Sequence, residues 1–403
     1  MTARTACRLN RAAYPASIRG GDDAAVLERL RVPPPGPLPP AGAPLSLRAT
    51  APAAADPAEG VLDARSSPRS ADLHEWLFAG ALAHPSGAIA GWRERSTGRL
   101  SDEYPEISGY YLSAAVFADA TDSPAVGRAA SWLSERIEAG ACASRRVDGS
   151  AIYNFDQGII AAGLIKYGVR TGNARAVAAG IRAASRLRDQ LAHEGRLEPL
   201  DPAGGHPVGR PATWSTVGRL HLTKTVQCLL LAAELGVSGM REAARTLIDD
   251  ASGAFSLESD GLRDPTGRVN LHATCYALEG FWIWDAQQRS NGHHAILEAA
   301  FDQLMSHRLP TGGFPRLARG EPREQSDVHA QVVRLAALLG RAPAMRTSVA
   351  RLREIASAAE RGWSVPYQPA SAEIHENAWV TMFAAQALAL VDGRPGLEWW
   401  ELI

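Results

Sequence analysis

Lysine is almost missing from this 403-residue chain: only Lys166 and Lys224 occur, and nearly every basic residue is arginine. Together with abundant Ala, Gly and Pro, this is the bias of a GC-rich genome, and it makes each surviving lysine conspicuous. Cysteine is scarce as well. Cys7, Cys142, Cys228 and Cys275 are scattered, with no C-x-x-C pair and no metal-ligand spacing. Neither a disulfide framework nor a metal site is expected, and a reducing cytoplasm fits best. Charge of one sign is lacking too. A net charge of -1 offers no electrostatic case for nucleic acid or for an anionic membrane. No apolar run approaches the roughly 18 residues that span a bilayer. Near the N-terminus Arg4, Arg8, Arg11 and Arg19 come without an apolar segment, which argues against a secretory signal. Gly204-Gly205 and Gly312-Gly313 read as turns rather than phosphate-binding loops, so no organic cofactor is expected.

What is present is ordinary for a soluble globular chain: 46% hydrophobic and 21% charged residues. Residues 1–69 are rich in Pro, Ala and Arg, with Pro33-Pro34-Pro35 and Pro39-Pro40 as breakers, and read as a disordered or loosely packed arm. A short helix over 22–31 interrupts it. From residue 70 to 403 the pattern is helical, and the alternation that strands require is nearly absent. The periodicity predicts helices over 71–83, 109–120, 123–139, 156–171, 173–192 and 220–235. It predicts six more over 238–252, 271–288, 293–306, 327–339, 343–360 and 377–391.

Two kinds of helix alternate. One is apolar all round, such as Gly158 to Ile165, and must be buried. The other carries a charged stripe, such as Arg175, Arg182, Arg186 and Arg188, and belongs at a surface. Buried-to-striped joints are short and striped-to-buried joints are long, as a double ring would need. Loops of the longer length usually carry function. The chain therefore reads as all-α, an (α/α)6 toroid of six helical hairpins with the first helix as outer partner of the last. An open α-solenoid is the alternative, though its repeats are usually shorter than the roughly 50 residues here.

Each buried helix also starts with polar residues: Tyr110-Tyr111, Asp156-Gln157, His221 with Lys224, His272 with Tyr276, Asp327 with His329 and Gln331, and Glu376-Asn377. A closed ring would gather all six starts at one mouth, beside the long loops. The positive helix ends would point there, which favours an anionic ligand.

The stretch Tyr104-Pro105-Glu106-Ile107-Ser108-Gly109-Tyr110 resembles a Tyr-Pro-Glu-x-x-Gly-Tyr motif of α/α-toroid proteins associated with polysaccharide biosynthesis. Phe155-Asp156-Gln157-Gly158, the segment from His272 to Gly280 and Asn377-Ala378-Trp379 are similar in order. The resemblance runs from about Gly91 to Leu390 and departs at Asp327-Val328-His329-Ala330-Gln331, where a Gly-Asn-Ala-Gln pattern would stand. It implies a sugar-related role on a fold shared with glycosidases, polysaccharide lyases, uronate epimerases and terpene cyclases.

For chemistry, His272 and Tyr276 are four apart and share a helix face. They suit removal and return of a proton beside a sugar carboxylate; the alternative is a capping His and a packed Tyr. His329 is the more cavity-directed of the next pair, and Asp327 also reads as an N-cap. Lys224 inside an apolar helix is costly unless paired or lining water, so it either holds a substrate anion or meets a neighbouring carboxylate. Glu106 and Asp156 are the carboxylates placed for hydrolysis, which needs two at a set separation. Tyr110, His221, Trp214, Arg316 and Asn377 complete the expected substrate-binding set; Trp214, Tyr153, Trp363, Tyr367 and Phe314 read as sugar-stacking or loop-anchoring aromatics. Arg210 joins Arg316 as a possible anion holder.

The reading is a saccharide-active enzyme using acid–base proton transfer on an acidic sugar, an epimerase or lyase. The partner would be a small molecule or oligosaccharide, with neither nucleic acid nor membrane involved. The alternatives are a glycoside hydrolase, a terpene or prenyl cyclase (whose Asp-rich motif is lacking) and a non-catalytic binding protein on the same ring.

Overall fold

The computed structural model describes residues 68–140, 152–201, 213–256, 260–320, 322–371, 373–394 and 396–403. The N-terminal arm up to residue 67, with its expected short helix, lies outside the described residues, as do Cys142, Gly204-Gly205 and Arg210. Buried helices are α2 (Pro105–Phe117), α4 (Asn154–Thr171), α6 (Val226–Glu234, entered through a 3-10 segment, Leu220–Thr225), α8 (Leu271–Gln288), α10 (Ser326–Leu338) and α12 (Ala378–Val391). Striped helices are α1 (Ser70–Phe78), α3 (Pro124–Glu138), α5 (Ala174–Glu194), α7 (Met240–Ala254), α9 (His294–Ser306) and α11 (Arg346–Ile355).

The buried helices pack side by side in order, and α12 returns to α2, so the inner ring is closed. The striped helices lie outside it. Helix α1 packs on α12, and Tyr111 of α2 donates its hydroxyl proton to the Leu77 carbonyl at 3.2 Å. The architecture is an all-α (α/α)6 toroid. No helix among the described residues is long and apolar enough to cross a membrane.

Glycine lets the inner helices approach closely. A Cβ at Gly163 of α4 would overlap the Gly109 carbonyl oxygen of α2, and one at Gly158 would overlap Thr225. One at Gly280 of α8 would lie 2.5 Å from the Thr223 carbonyl carbon. Three successive joints of the ring thus depend on a missing side chain.

The long loops gather at the N-terminal ends of the inner helices and are joined by short antiparallel pairings. Strand β1 (Trp92–Glu94) pairs with β4 (His375–Asn377), matching Trp92 to Asn377 and Glu94 to His375. This pairing joins the loop before α2 to the loop before α12 and closes the mouth. Buried Glu376 receives Arg95 Nε at 3.3 Å and lies 3.7 Å from Arg93 Nη1. Bridges Tyr153–Leu200 and Asn270–Leu317 join other neighbouring loops.

Several predicted helices differ from the structure at their ends: the one expected over 71–83 stops at Phe78, and the one expected over 109–120 already starts at Pro105. The helix expected over 343–360 stops at Ile355, because Ser357–Ala358 (β2) is extended and pairs with Trp363–Ser364 (β3). The start of the helix expected over 220–235 is wound as 3-10, where the Thr223 and Thr225 hydroxyls each donate to carbonyls three residues back at 2.7 Å.

At the end away from the mouth, Leu402 and Ile403 enter the ring axis and are buried. Lys166 donates to the Leu402 carbonyl at 2.9 Å, Gln227 to the Trp399 and Leu402 carbonyls at 2.9 and 3.0 Å, and Gln386 to the Glu401 carbonyl at 2.9 Å. The Trp399-Trp400 segment therefore covers the far end of the ring.

Candidate active site at the mouth of the ring

Helix α8 begins at Asn270, whose side chain accepts the Ala273 amide at 3.1 Å and so fixes the first turn. That turn presents His272, partly buried, to the mouth. Its Nδ1 lies 2.6 Å from Gln331 Oε1 and 3.6 Å from Asp327 Oδ2, both on α10. Asp327 Oδ1 accepts the Val328 amide at 2.7 Å, and Oδ2 also accepts the Trp379 indole N–H at 3.4 Å. One carboxylate oxygen is thus shared between the imidazole of α8 and the indole of α12.

One turn on, Tyr276 packs against the His272 ring with centroids 4.4 Å apart and against Phe155 at 4.7 Å. Tyr110 of α2 reaches the same place, its ring 5.3 Å from Phe383. The Tyr276 phenol is pushed well above its ordinary range, first by burial and then by Tyr110 and Glu106, so it keeps its proton. Tyr110 is raised in the same way, first by burial and then by Glu106, which is half-buried in the first turn of α2. Burial also pushes His272 down, an effect partly offset by Asp327 and by the Gln331 hydrogen bond, which keeps the ring neutral near pH 7.

The walls are aromatic. Trp214, on a single helical turn (Trp214–Val217), meets His221 at 5.0 Å and His272 at 5.6 Å, both edge-on. Trp379, on α12, meets Tyr367 at 5.3 Å and Tyr104 at 6.3 Å, and Trp92 stacks on His375 at 5.5 Å. His221 lies between Trp214 and Phe155, its pKa pushed down to about 3 by burial and by nearby His272. Arg316 is exposed in the loop before α10, close enough to His272 to disfavour its protonation. Asp156 is buried in the first turn of α4.

The fold therefore brings His272, Tyr276, Asp327, Tyr110, Glu106, His221, Trp214 and Arg316 to one mouth. Three other expected site residues have different surroundings. His329, expected to face the cavity, points outward: its Nε2 lies 2.8 Å from the Ser348 carbonyl of α11, and its ring lies 5.8 Å from buried Phe314. Lys224, expected either to hold a substrate anion or to pair, is fully buried with Nζ 2.5 Å from Glu279 Oε2, so its charge is met within the protein. Asn377 caps α12, accepting the Val380 amide at 2.9 Å.

Glu279 and Arg334 escaped the sequence reading. Glu279 is fully buried between Lys224 and Arg334, and Gln331 Nε2 approaches its other oxygen at 3.5 Å. Burial raises the Glu279 pKa, but Arg334 and Lys224 outweigh it and hold the carboxyl below its usual value. The signal was available: a charged residue within an apolar helix, the same anomaly that singled out Lys224.

No protein-family model matches the chain, and no curated protein matches its sequence. Solved structures do match. The unsaturated glucuronyl hydrolase of Bacillus sp. GL1, named as responsible for glycosaminoglycan degradation, aligns with a TM-score of 0.59 at 13% identity, covering 79% of this chain and 95% of that one. An unsaturated glucuronyl hydrolase specific for heparin aligns with a TM-score of 0.60 at 9% identity, covering 80% and 96%. A protein from Clostridium perfringens, described as a novel alpha-amylase, aligns with a TM-score of 0.55 at 12% identity, covering 80% and 97%. At such identities the likeness carries the fold, the (α/α)6 toroid built above from the helices themselves.

Proposed function

We propose that this protein is a saccharide-active enzyme whose central step is acid–base proton transfer on an acidic sugar. The observation that carries the reading is the His272 constellation: a neutral imidazole held at Nδ1 by Gln331, with the Asp327 carboxylate 3.6 Å away and a protonated phenol in contact. His272 takes the proton from the carbon beside the sugar carboxylate, and the electrons pass into that carboxylate. Arg316 is the nearby cation suited to that charge. Tyr276, whose ring touches that of His272 and so lies on the same face of the sugar, then supplies a proton to the departing oxygen, which yields an unsaturated sugar. Epimerisation would instead draw its proton from a group on the opposite wall. Trp214 and Trp379 suit the apolar faces of sugar rings.

The names of the matching structures favour a second reading, glycoside hydrolysis, in which Glu106 and Asp156 serve as the two carboxyl groups. Incubation with uronic-acid oligosaccharides in deuterated water, followed by NMR, separates the two. Deuterium at C5 or an unsaturated product supports proton transfer, and both are lost in His272→Gln. A new reducing end without deuterium at C5 supports hydrolysis and overturns the first reading.

A further inference from the structure

Behind the mouth, three side chains from two helices form a line: Glu279 of α8, Gln331 of α10, and His272 of α8. We propose that Glu279, acting through Gln331, fixes His272 in the tautomer that carries its proton on Nδ1, leaving the lone pair on Nε2. The proposal deepens the proton-transfer reading, because it assigns the atom that would act as base.

A glutamine side chain has a donor end and an acceptor end, and the two ends are nearly the same shape. Its orientation is set by what faces each end. The carboxylate of Glu279 is ionised, held so by Lys224 at 2.5 Å and by Arg334, and an ionised carboxylate only accepts. The end of Gln331 facing it at 3.5 Å is therefore the NH2 group. That leaves the amide oxygen 2.6 Å from His272 Nδ1, and an oxygen there requires a proton on Nδ1. Asp327 Oδ2, at 3.6 Å from the same nitrogen, is a second acceptor on the same side and strengthens the preference. A buried ion triad thus reaches the reacting ring through one neutral amide. Glu279 and Gln331 are positioning residues rather than catalytic ones.

Two measurements on the whole protein test this without any substrate. In a neutron structure, deuterons are expected on the Gln331 atom facing Glu279; deuterons on the atom facing His272 overturn the proposal. In 15N NMR of histidine-labelled protein near neutral pH, with His272 assigned by its loss in His272→Gln, Nδ1 is expected to be the protonated nitrogen. A protonated Nε2 overturns the proposal. Gln331→Leu leaves the Glu279, Lys224 and Arg334 triad in place and is expected to shift the ring toward the Nε2-protonated form. For proton exchange into substrate it is expected to lower kcat roughly 10- to 100-fold with little change in KM. An unchanged Nδ1 proton in folded Gln331→Leu also overturns the proposal. The correct tautomer without any exchange on uronides would sink the proton-transfer reading alone; exchange with the wrong tautomer would sink this relay alone.

Discussion

Lys224 Nζ lies 2.5 Å from Glu279 Oε2, and neither side chain meets solvent. Arg334 holds the second oxygen of the same carboxylate, and its guanidinium lies over the Phe383 ring at 4.6 Å. Removing the Glu279 carboxylate leaves Lys224 with the Ile403 oxygen at 2.8 Å and Arg334 with the Gln386 amide oxygen at 3.1 Å, and two buried cations without their shared carboxylate. Glu279→Ala is expected to cost about 3–5 kcal/mol, a loss measured as a lower denaturant midpoint. A change below about 1 kcal/mol would mean that the triad is neutralised or hydrated in solution.

The mouth should titrate on the acid side of ordinary histidine. Burial holds His272 below 6.5, while Asp327, Gln331 and Glu279 pull it back up and Arg316 pushes it down. A base of lowered pKa stays unprotonated until more acid pH, so activity should be retained at pH 6.5 and fall at lower pH. Asp327→Asn removes an influence that raises the pKa, so the acid limb of kcat/KM should move further to acid. A limb that moves toward neutrality would contradict this electrostatic account.

His329 should matter for stability and not for turnover. Burial pushes its pKa down to about 4 despite the hydrogen bond to the Ser348 carbonyl. The unfolded chain binds a proton below about pH 6.5 that the native ring refuses. The stability is complete above that pH and is lost as pH falls toward 4. Between pH 7 and pH 5 this one ring should account for a loss on the order of 2 kcal/mol. His74, also lowered to about 4, and His221, lowered to about 3, act in the same direction. Denaturant titrations at the two pH values should show a shallower loss in His329→Gln than in the unaltered protein.

Gly163 tests the close approach of the inner helices. An added methyl would overlap the Gly109 carbonyl, and α4 cannot retreat without disturbing its other neighbours. Gly163→Ala is expected to destabilise by about 1–3 kcal/mol, although alanine is the better helix former. A stabilised variant in thermal unfolding would show that the helices have room to part.

Much of the ring was legible in the residues. Helix α8 begins at Leu271 as expected, where the long apolar run starts and the Asn270 side chain accepts the Ala273 amide. The polar helix starts were equally visible, since polar residues are out of place at the head of an apolar segment. What escaped depended on distant partners. The 343–360 prediction ran past Ile355 because only the pairing of Ser357–Ala358 with Trp363–Ser364 makes the extended form preferable. Asp327 and His329 point to roughly opposite sides of α10, and local sequence cannot say which side faces the axis. Glu279 and Arg334 find each other across 55 positions, so neither carries its meaning alone.

The seam at the mouth sets the order in which the ring can form. Arg95 and Glu376 are 281 positions apart, so pairing β1 with β4 closes a loop of that length unless the hairpins between them have already formed. Contacts of such long range gain nothing until a large loop entropy has been overcome, so they belong late in assembly. That loop entropy makes this seam the expected place for the closed ring to open, so a chain nicked or shortened there should lose circular closure before it loses its helices.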